Sequence, residues 1–174
     1  IVTRTDLLKM LSPKLTKKDR ENLEDQLEKA LAPGHLSIIR SIAASAVEQK
    51  LPIYVVGGFV RDLLLSRPSL DFDIVVEGDA ILMAKIVAEK YGGRVVVHTR
   101  FGTAKWFLEK SIFQGEDIPE FLDFITARME FYTHPTALPT VERSSIKLDL
   151  HRRDFTINTL ALRLDGRGFG DLYD

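Results

Sequence analysis

Asp71 and Asp73 stand two residues apart in LDFDIVV. Residues so spaced on a strand face the same way, so an extended reading sets both carboxylates on one side while Phe72 points into the core. Such a pair is a platform for a divalent cation. Magnesium takes hard oxygen ligands and keeps several waters, so two or three carboxylates plus substrate phosphates complete its site. Just upstream, Gly57-Gly58 closes the apolar run IYVV and opens a short helix over 59–65, where free backbone N–H groups and the positive helix end can hold a phosphate. A phosphate cradle beside metal carboxylates points to nucleotide chemistry.

Two further stretches can join them. In FLDFITAR, Asp123 shares a strand face with Phe121 and Ile125, so it interrupts an otherwise apolar side, and a carboxylate there calls for a reason. RRDFTIN supplies Arg152, Arg153, Asp154 and Asn158. With Asp154 near a helix start, Arg153 and Asn158 approach one surface, offering a guanidinium fork to phosphate and an amide to a sugar. Each feature has a plainer reading. An aspartate taken alone caps a turn or ends a solvated strand, Asp154 serves as a helix N-cap, and Arg152 is a solvated charge. Arg61 either meets phosphate or pairs with Asp62 or Asp71, and Arg100 and Lys105 near Trp106 read as ordinary surface. For the aspartate pair behind the glycine turn the metal reading prevails.

Other chemistries lack their parts. The histidines (His35, His98, His134, His151) have no metal-ligand spacing, Gly57-Gly58 lacks a following Gly-Lys-Ser/Thr, and no serine elbow is present. The 174 residues are 45% apolar, enough for one compact domain with some sequence beside it. No apolar run approaches the roughly 20 residues of a membrane span. With no cysteine the metal ligands must be hard oxygens, and a reducing, cytoplasmic setting is expected. A formal charge of −1 gives no bulk attraction to nucleic acid, so an RNA partner needs a local basic surface. The chain begins at Ile1 and stops within GFGDLYD, and it reads as an excerpt of a longer protein.

The elements that must position these residues follow from periodicity. Helices are predicted over 17–31, stopped by Pro33-Gly34, over 36–49 with Ile38, Ile39, Ile42, Ala46 and Val47 inward, and over 79–91, ended by Gly92-Gly93. Strands are predicted over 53–56, 71–77, 94–98, 104–109 and 120–127. Residues 128–145 carry prolines and threonines with little periodicity and read as a long loop. Ser144 or Ser145 then caps a helix bearing Ile146, Leu148 and Leu150. No internal repeat is present, and the fold class is α+β.

Taken in order, VVGGFVRDLLL, LDFDIVV, LDFITAR, HPTALP and LHRRDFTIN resemble the catalytic head of the bacterial-type tRNA nucleotidyltransferase and poly(A) polymerase family, within the DNA polymerase beta superfamily, over residues 51–174. The resemblance implies a mixed or antiparallel sheet of about five strands with helices packed on it. It places Gly57, Gly58, Arg61 and Asp62 at the triphosphate and metal region, and Arg152, Arg153, Asp154 and Asn158 on the ribose and phosphates of an incoming nucleotide. Asp71 and Asp73, with Asp123 as third acidic position, become ligands of two Mg2+ ions that activate the RNA 3′-hydroxyl and stabilise departing pyrophosphate. The implied activity is template-independent addition to an RNA 3′ end: tRNA CCA, or partial CC or A, from CTP and ATP, with poly(A) synthesis as the alternative. A silent nucleotide-sensing module is a rival, opposed by the three carboxylates, and a small-molecule nucleotidyltransferase is opposed by RRDFTIN. The family's base-reading Glu-Asp-x-x-Arg motif does not occur, so base choice is expected beyond Asp174. Residues 1–11 (IVTRTDLLKML) look like the last strand and helix of a CBS domain, although Thr3 and Asp6 equally suit helix capping. That makes 12–50 a helical connector with the first head helix and 51–174 the head.

Overall fold

The computed structural model describes residues 20–67, 72–109, 113, 118–131 and 140–174. The candidate CBS remnant, all of HPTALP and Asp71 therefore lie outside the described residues.

Two apolar runs form the centre. β1 (Ile53–Val56) is buried along its whole length, and β2 (Asp73–Val76) is buried after its first residue. Strands covered on both faces belong in the middle of a sheet. β1 pairs antiparallel with β2, and β2 pairs in parallel with β5 (Phe121–Thr126). A parallel neighbour cannot be reached by a tight turn. The chain crosses instead through α4 (Ala80–Tyr91), β3 (Arg94–His98) and β4 (Thr103–Phe107) before entering β5. The resulting seven-stranded sheet runs β3-β4-β5-β2-β1-β8-β9, with β8 (Ala161–Arg163) and β9 (Leu172–Tyr173) at one end. The α+β class and the mixed sheet agree with the sequence reading. The strand number does not, because β8 and β9 are three and two residues long and too short to show alternation.

Alternation sorts the two faces. Ile53, Val55, Ile74, Val76, Leu122, Phe124 and Leu162 turn to the main core, together with α1 (Glu24–Ala30), α2 (Pro33–Gln49), α3 (Gly58–Leu64) and α4. Phe72 joins them against Phe59, with ring centroids 4.7 Å apart, as its place between two aspartates predicts. Trp106 and Phe124 are wholly buried there, each contributing on the order of 2 kcal/mol. Tyr54, Val56, Val75 and Ala161 turn the other way and meet Ile146 and Leu150 of α5 (Ile146–His151). Asp73, two residues before Val75, shares this second face.

Local chemistry explains most helix ends. Asp79 caps α4 by accepting from the Leu82 N–H at 2.9 Å. Gly93 admits no side chain, since a Cβ would lie 2.3 Å from the Phe107 carbonyl oxygen. Four expectations are corrected. α1 starts at Glu24, not near 17, because the Leu23 N–H bonds Gly170 O at 2.8 Å and Asn22 bridges Asp171, which ties the residues before Glu24 to the segment entering β9 instead of to a helix. Pro33 is the first residue of α2, where its missing N–H costs nothing. Val47 is 51% exposed, beyond the stripe formed by Ile38, Ile39, Ile42 and Ala46. The stretch taken as a loop from 128 contains β6 (Arg128–Phe131) paired with β7 (Thr140–Arg143), a two-strand ladder outside the main sheet.

Candidate active site

The glycine turn is a backbone device. Gly57 has φ +74° and ψ −132°, a conformation open to glycine, and its N–H donates to Leu160 O at 3.0 Å, tying the turn to the residues that enter β8. α3 follows, burying Phe59, Val60 and Leu63. Of the two readings for Arg61, pairing with its neighbour is realised: Nε and Nη2 donate to the Asp62 carboxylate at 2.8 and 3.0 Å. These bonds hold Asp62 below the usual carboxylate range and raise Arg61. Arg61 Nη1 also donates to Asn158 Oδ1 at 2.9 Å.

Asp73 opens β2, half-buried, and in the parallel register its partner residue on β5 is Asp123. The crossover thus sets side by side two carboxylates that are fifty positions apart in sequence. Asp123 does not interrupt the core. The main-core side of β5 carries Leu122 and Phe124, while Asp123 shares the second face with exposed Phe121 and with Ile125, which packs partly buried against the second cluster. There it accepts from Lys105 Nζ at 2.8 Å, across the β4–β5 pair, so Lys105 is a partner of the acidic strand and not open surface. Arg100 lines a separate cavity of about 280 Å³ with Asp79, Arg128 and Arg143. Among the described residues no group of three or more His, Cys, Asp or Glu gathers as a metal site.

The arginine pair is built from the second face. Glu77, just after β2, accepts from the Ile146 N–H at 2.5 Å, and Ser145 Oγ accepts from the Leu148 N–H at 3.4 Å, which together fix the start of α5. One turn later comes a residue that the sequence reading passed over, Asp149, with 0% exposure. Its Oδ1 accepts from Arg152 Nε at 2.9 Å and its Oδ2 from Arg153 Nε at 2.9 Å, and each guanidinium's Nη2 lies 2.8 Å from the same oxygen as an ion pair. The signal was present: an acid three and four residues before two arginines is the helical ion-pair spacing. Asp154 is neither at a helix start nor an N-cap. It lies exposed in a bend, and the short 3-10 turn Thr156–Asn158 after it takes Phe155 as its cap position.

These parts converge. Gly57, Gly58, Asp73, Arg152, Arg153, Asp154 and Asn158, together with Val56, line one open cavity of about 310 Å³. Arg61 and Asp62 stand behind it, linked through Asn158, and Asp123 stands beside Asp73 on the neighbouring strand. A cavity lined by two arginines, a glycine turn and two carboxylates suits a polyanion carried with a cation.

The chain is similar to proteins of known family. Residues 53–174 match the family profile described as "Poly A polymerase head domain". An A-adding tRNA nucleotidyltransferase of Geobacter sulfurreducens is 41% identical, with the similarity covering 100% of this chain and 20% of that protein. Among solved structures, an apo form of a CCA-adding enzyme superposes with a TM-score of 0.78 at 40% identity, covering 88% of this chain and 34% of its own. The Thermotoga maritima CCA-adding enzyme complexed with tRNA superposes with a TM-score of 0.71 at 38% identity, covering 88% of this chain and 32% of its own. The chain thus spans 20% to 34% of the length of these relatives.

Proposed function

The chain belongs to the poly(A) polymerase head-domain family, and from that premise we propose that the protein it forms part of adds nucleotides to the 3′ end of tRNA without a template. The carrying observation is that one cavity gathers the glycine turn, Asp73 and the RRDFTIN side chains from segments about a hundred positions apart.

In this reading Arg152 and Arg153 bind the triphosphate, the Gly57–Gly58 backbone approaches its oxygens, and Asp154 and Asn158 take the ribose. Arg61 and Asp62 hold Asn158 in place from behind. The RNA 3′-hydroxyl oxygen attacks the α-phosphorus in line, the bond to the bridging oxygen breaks, and pyrophosphate leaves with no covalent enzyme intermediate. The donor set fits magnesium: only carboxylate oxygens are offered, and the parallel register puts Asp73 next to Asp123. Asp71, Asp73 and Asp123 would hold it, and when bound it would supply Lewis-acid activation of the hydroxyl and neutralise charge on the leaving group.

The product we infer is the terminal A, as in the Geobacter relative whose similarity extends along the whole of this chain. Residues 1–11 are read as the end of a CBS module ahead of the head, and the cytoplasm as the place of action. No helix among the described residues is long and apolar enough to cross a membrane.

The test offers CTP and ATP separately to the full-length protein with tRNAs ending before C, after C and after CC. Addition of one A to the CC-ending tRNA is expected. Addition of C redirects the product to CC or CCA, long A tails point to poly(A) synthesis, and no addition to any end overturns the reading.

A further inference from the structure

We infer that Asp149 is the positioning residue that aims the arginine pair and sets its charge, an inference that rests on the nucleotidyl-transfer reading of the cavity. A wholly buried carboxylate is retained only where charge or hydrogen bonding requires it. Here each oxygen accepts from the Nε of one arginine with that arginine's Nη2 at 2.8 Å, Oδ1 facing Arg152 and Oδ2 facing Arg153; Oδ1 also accepts the Arg128 N–H at 3.2 Å, and Arg152 Nε is shared with the Arg128 carbonyl at 3.1 Å.

A guanidinium is rigid and planar, so fixing its Nε–Nη2 edge fixes the direction of the whole group. Both arginines are largely covered yet line the cavity, with side-chain exposures of 21% and 18%. Docked on a single acid from behind, they turn their opposite edges away from it. The acid also removes one of two positive charges, leaving a net charge of +1 for the trio.

Direction matters because the cavity contains other acids. Asp73 and Asp154 line the same space and compete for any guanidinium not already committed. Asp149 offers both arginines a partner that is not itself part of the cavity lining. A purely scaffolding position on α5 is served by an apolar side chain, as at Ile146 and Leu150.

Asp149→Asn in the full-length protein is the direct test. The carboxamide is the same size, but its NH2 group faces donors of one arginine, so that guanidinium must turn. We expect KM for ATP and for CTP to rise by the same factor, about tenfold or more, with a smaller fall in kcat. Competitive inhibition by magnesium tripolyphosphate, which has phosphates and neither base nor sugar, weakens in step. A variant whose kcat falls at unchanged KM has lost only folded protein, and the positioning role is overturned.

Should that variant not fold, Asp149→Glu carries the test. The charge is kept but the added methylene displaces both guanidiniums, so a shared rise in KM supports the inference and an unchanged KM overturns it. If the wild type neither adds nucleotide nor binds tripolyphosphate, the transfer reading fails and the inference falls with it. An active wild type indistinguishable from Asp149→Asn removes the role of Asp149 alone.

Discussion

Arg61 Nη1 donates to Asn158 Oδ1 at 2.9 Å, joining side chains 97 positions apart and locking the helix after the glycine turn to the end of RRDFTIN. The same guanidinium holds Asp62 through Nε and Nη2, so Asn158 is the end of a three-residue chain. Removing either partner of the Arg61–Asn158 bond therefore removes the same interaction. Arg61→Ala and Asn158→Ala should each weaken nucleotide binding, and the double variant should lose less than the sum of the two single losses. Strict additivity in a double-mutant cycle of ATP affinities would show that the bond does not support binding.

Asp73→Asn and Asp123→Asn in the full-length protein should each lower turnover at least about a hundredfold, because a carboxylate is lost where charge develops. The same is expected of Asp71→Asn. Thermal unfolding should change little, since Asp73 and Asp123 lie at the partly exposed side of their strands. Near-normal magnesium-dependent addition by the Asp73 variant would remove the metal assignment.

Arg153→Ala should weaken ATP and CTP equally, and Asp154→Ala should narrow the preference for ribonucleotides over 2′-deoxynucleotides, because both side chains line the cavity where parts common to all nucleotides are held. Affinities for ATP, CTP and their deoxy forms decide it. A loss confined to one base would mean that base recognition begins within this domain.

Gly57→Ala should destabilise the domain by about 1–3 kcal/mol, since φ +74° with ψ −132° is nearly closed to other residues. Gly58→Ala should be milder on stability, because its added Cβ would meet only the Arg61 guanidinium at an ordinary 3.5 Å. Denaturant unfolding of the two variants compares them directly, and equal losses would refute the distinction.

Asp79→Ala should cost about 1 kcal/mol through loss of the α4 cap. The Leu82 N–H, and then Arg143, hold the Asp79 carboxyl below its ordinary value of 3.8. A depressed folded value means that the carboxylate stabilises fully above 3.8 and that this contribution disappears as the pH falls through the lower folded value. The stability gap between wild type and Asp79→Ala should thus be full at neutral pH and close in acid. A gap that widens on acidification would contradict the sign.

The sequence by itself determined what is encoded locally. The apolar runs at 53–56 and 74–76, the Asp-x-Asp spacing with Phe72 turned inward, the glycine turn at 57–58 and the serine cap before Ile146 depend on neighbours within a few positions, and these were legible. The set of cavity residues was also largely legible, because motif residue types survive wherever the chain carries them. Only the tertiary structure decided which of these meet. The parallel register beside β2 brings Asp123 to Asp73, and the pairing of β4 with β5 gives Asp123 its lysine. The start of α5, fastened to Glu77, buries Asp149 behind the arginines. The ladder of β6 with β7 and the short strands β8 and β9 escaped the sequence reading for the same reason. Periodicity reports which face of an element is covered, whereas the identity of the partner is fixed by crossovers and long-range hydrogen bonds that leave no local pattern.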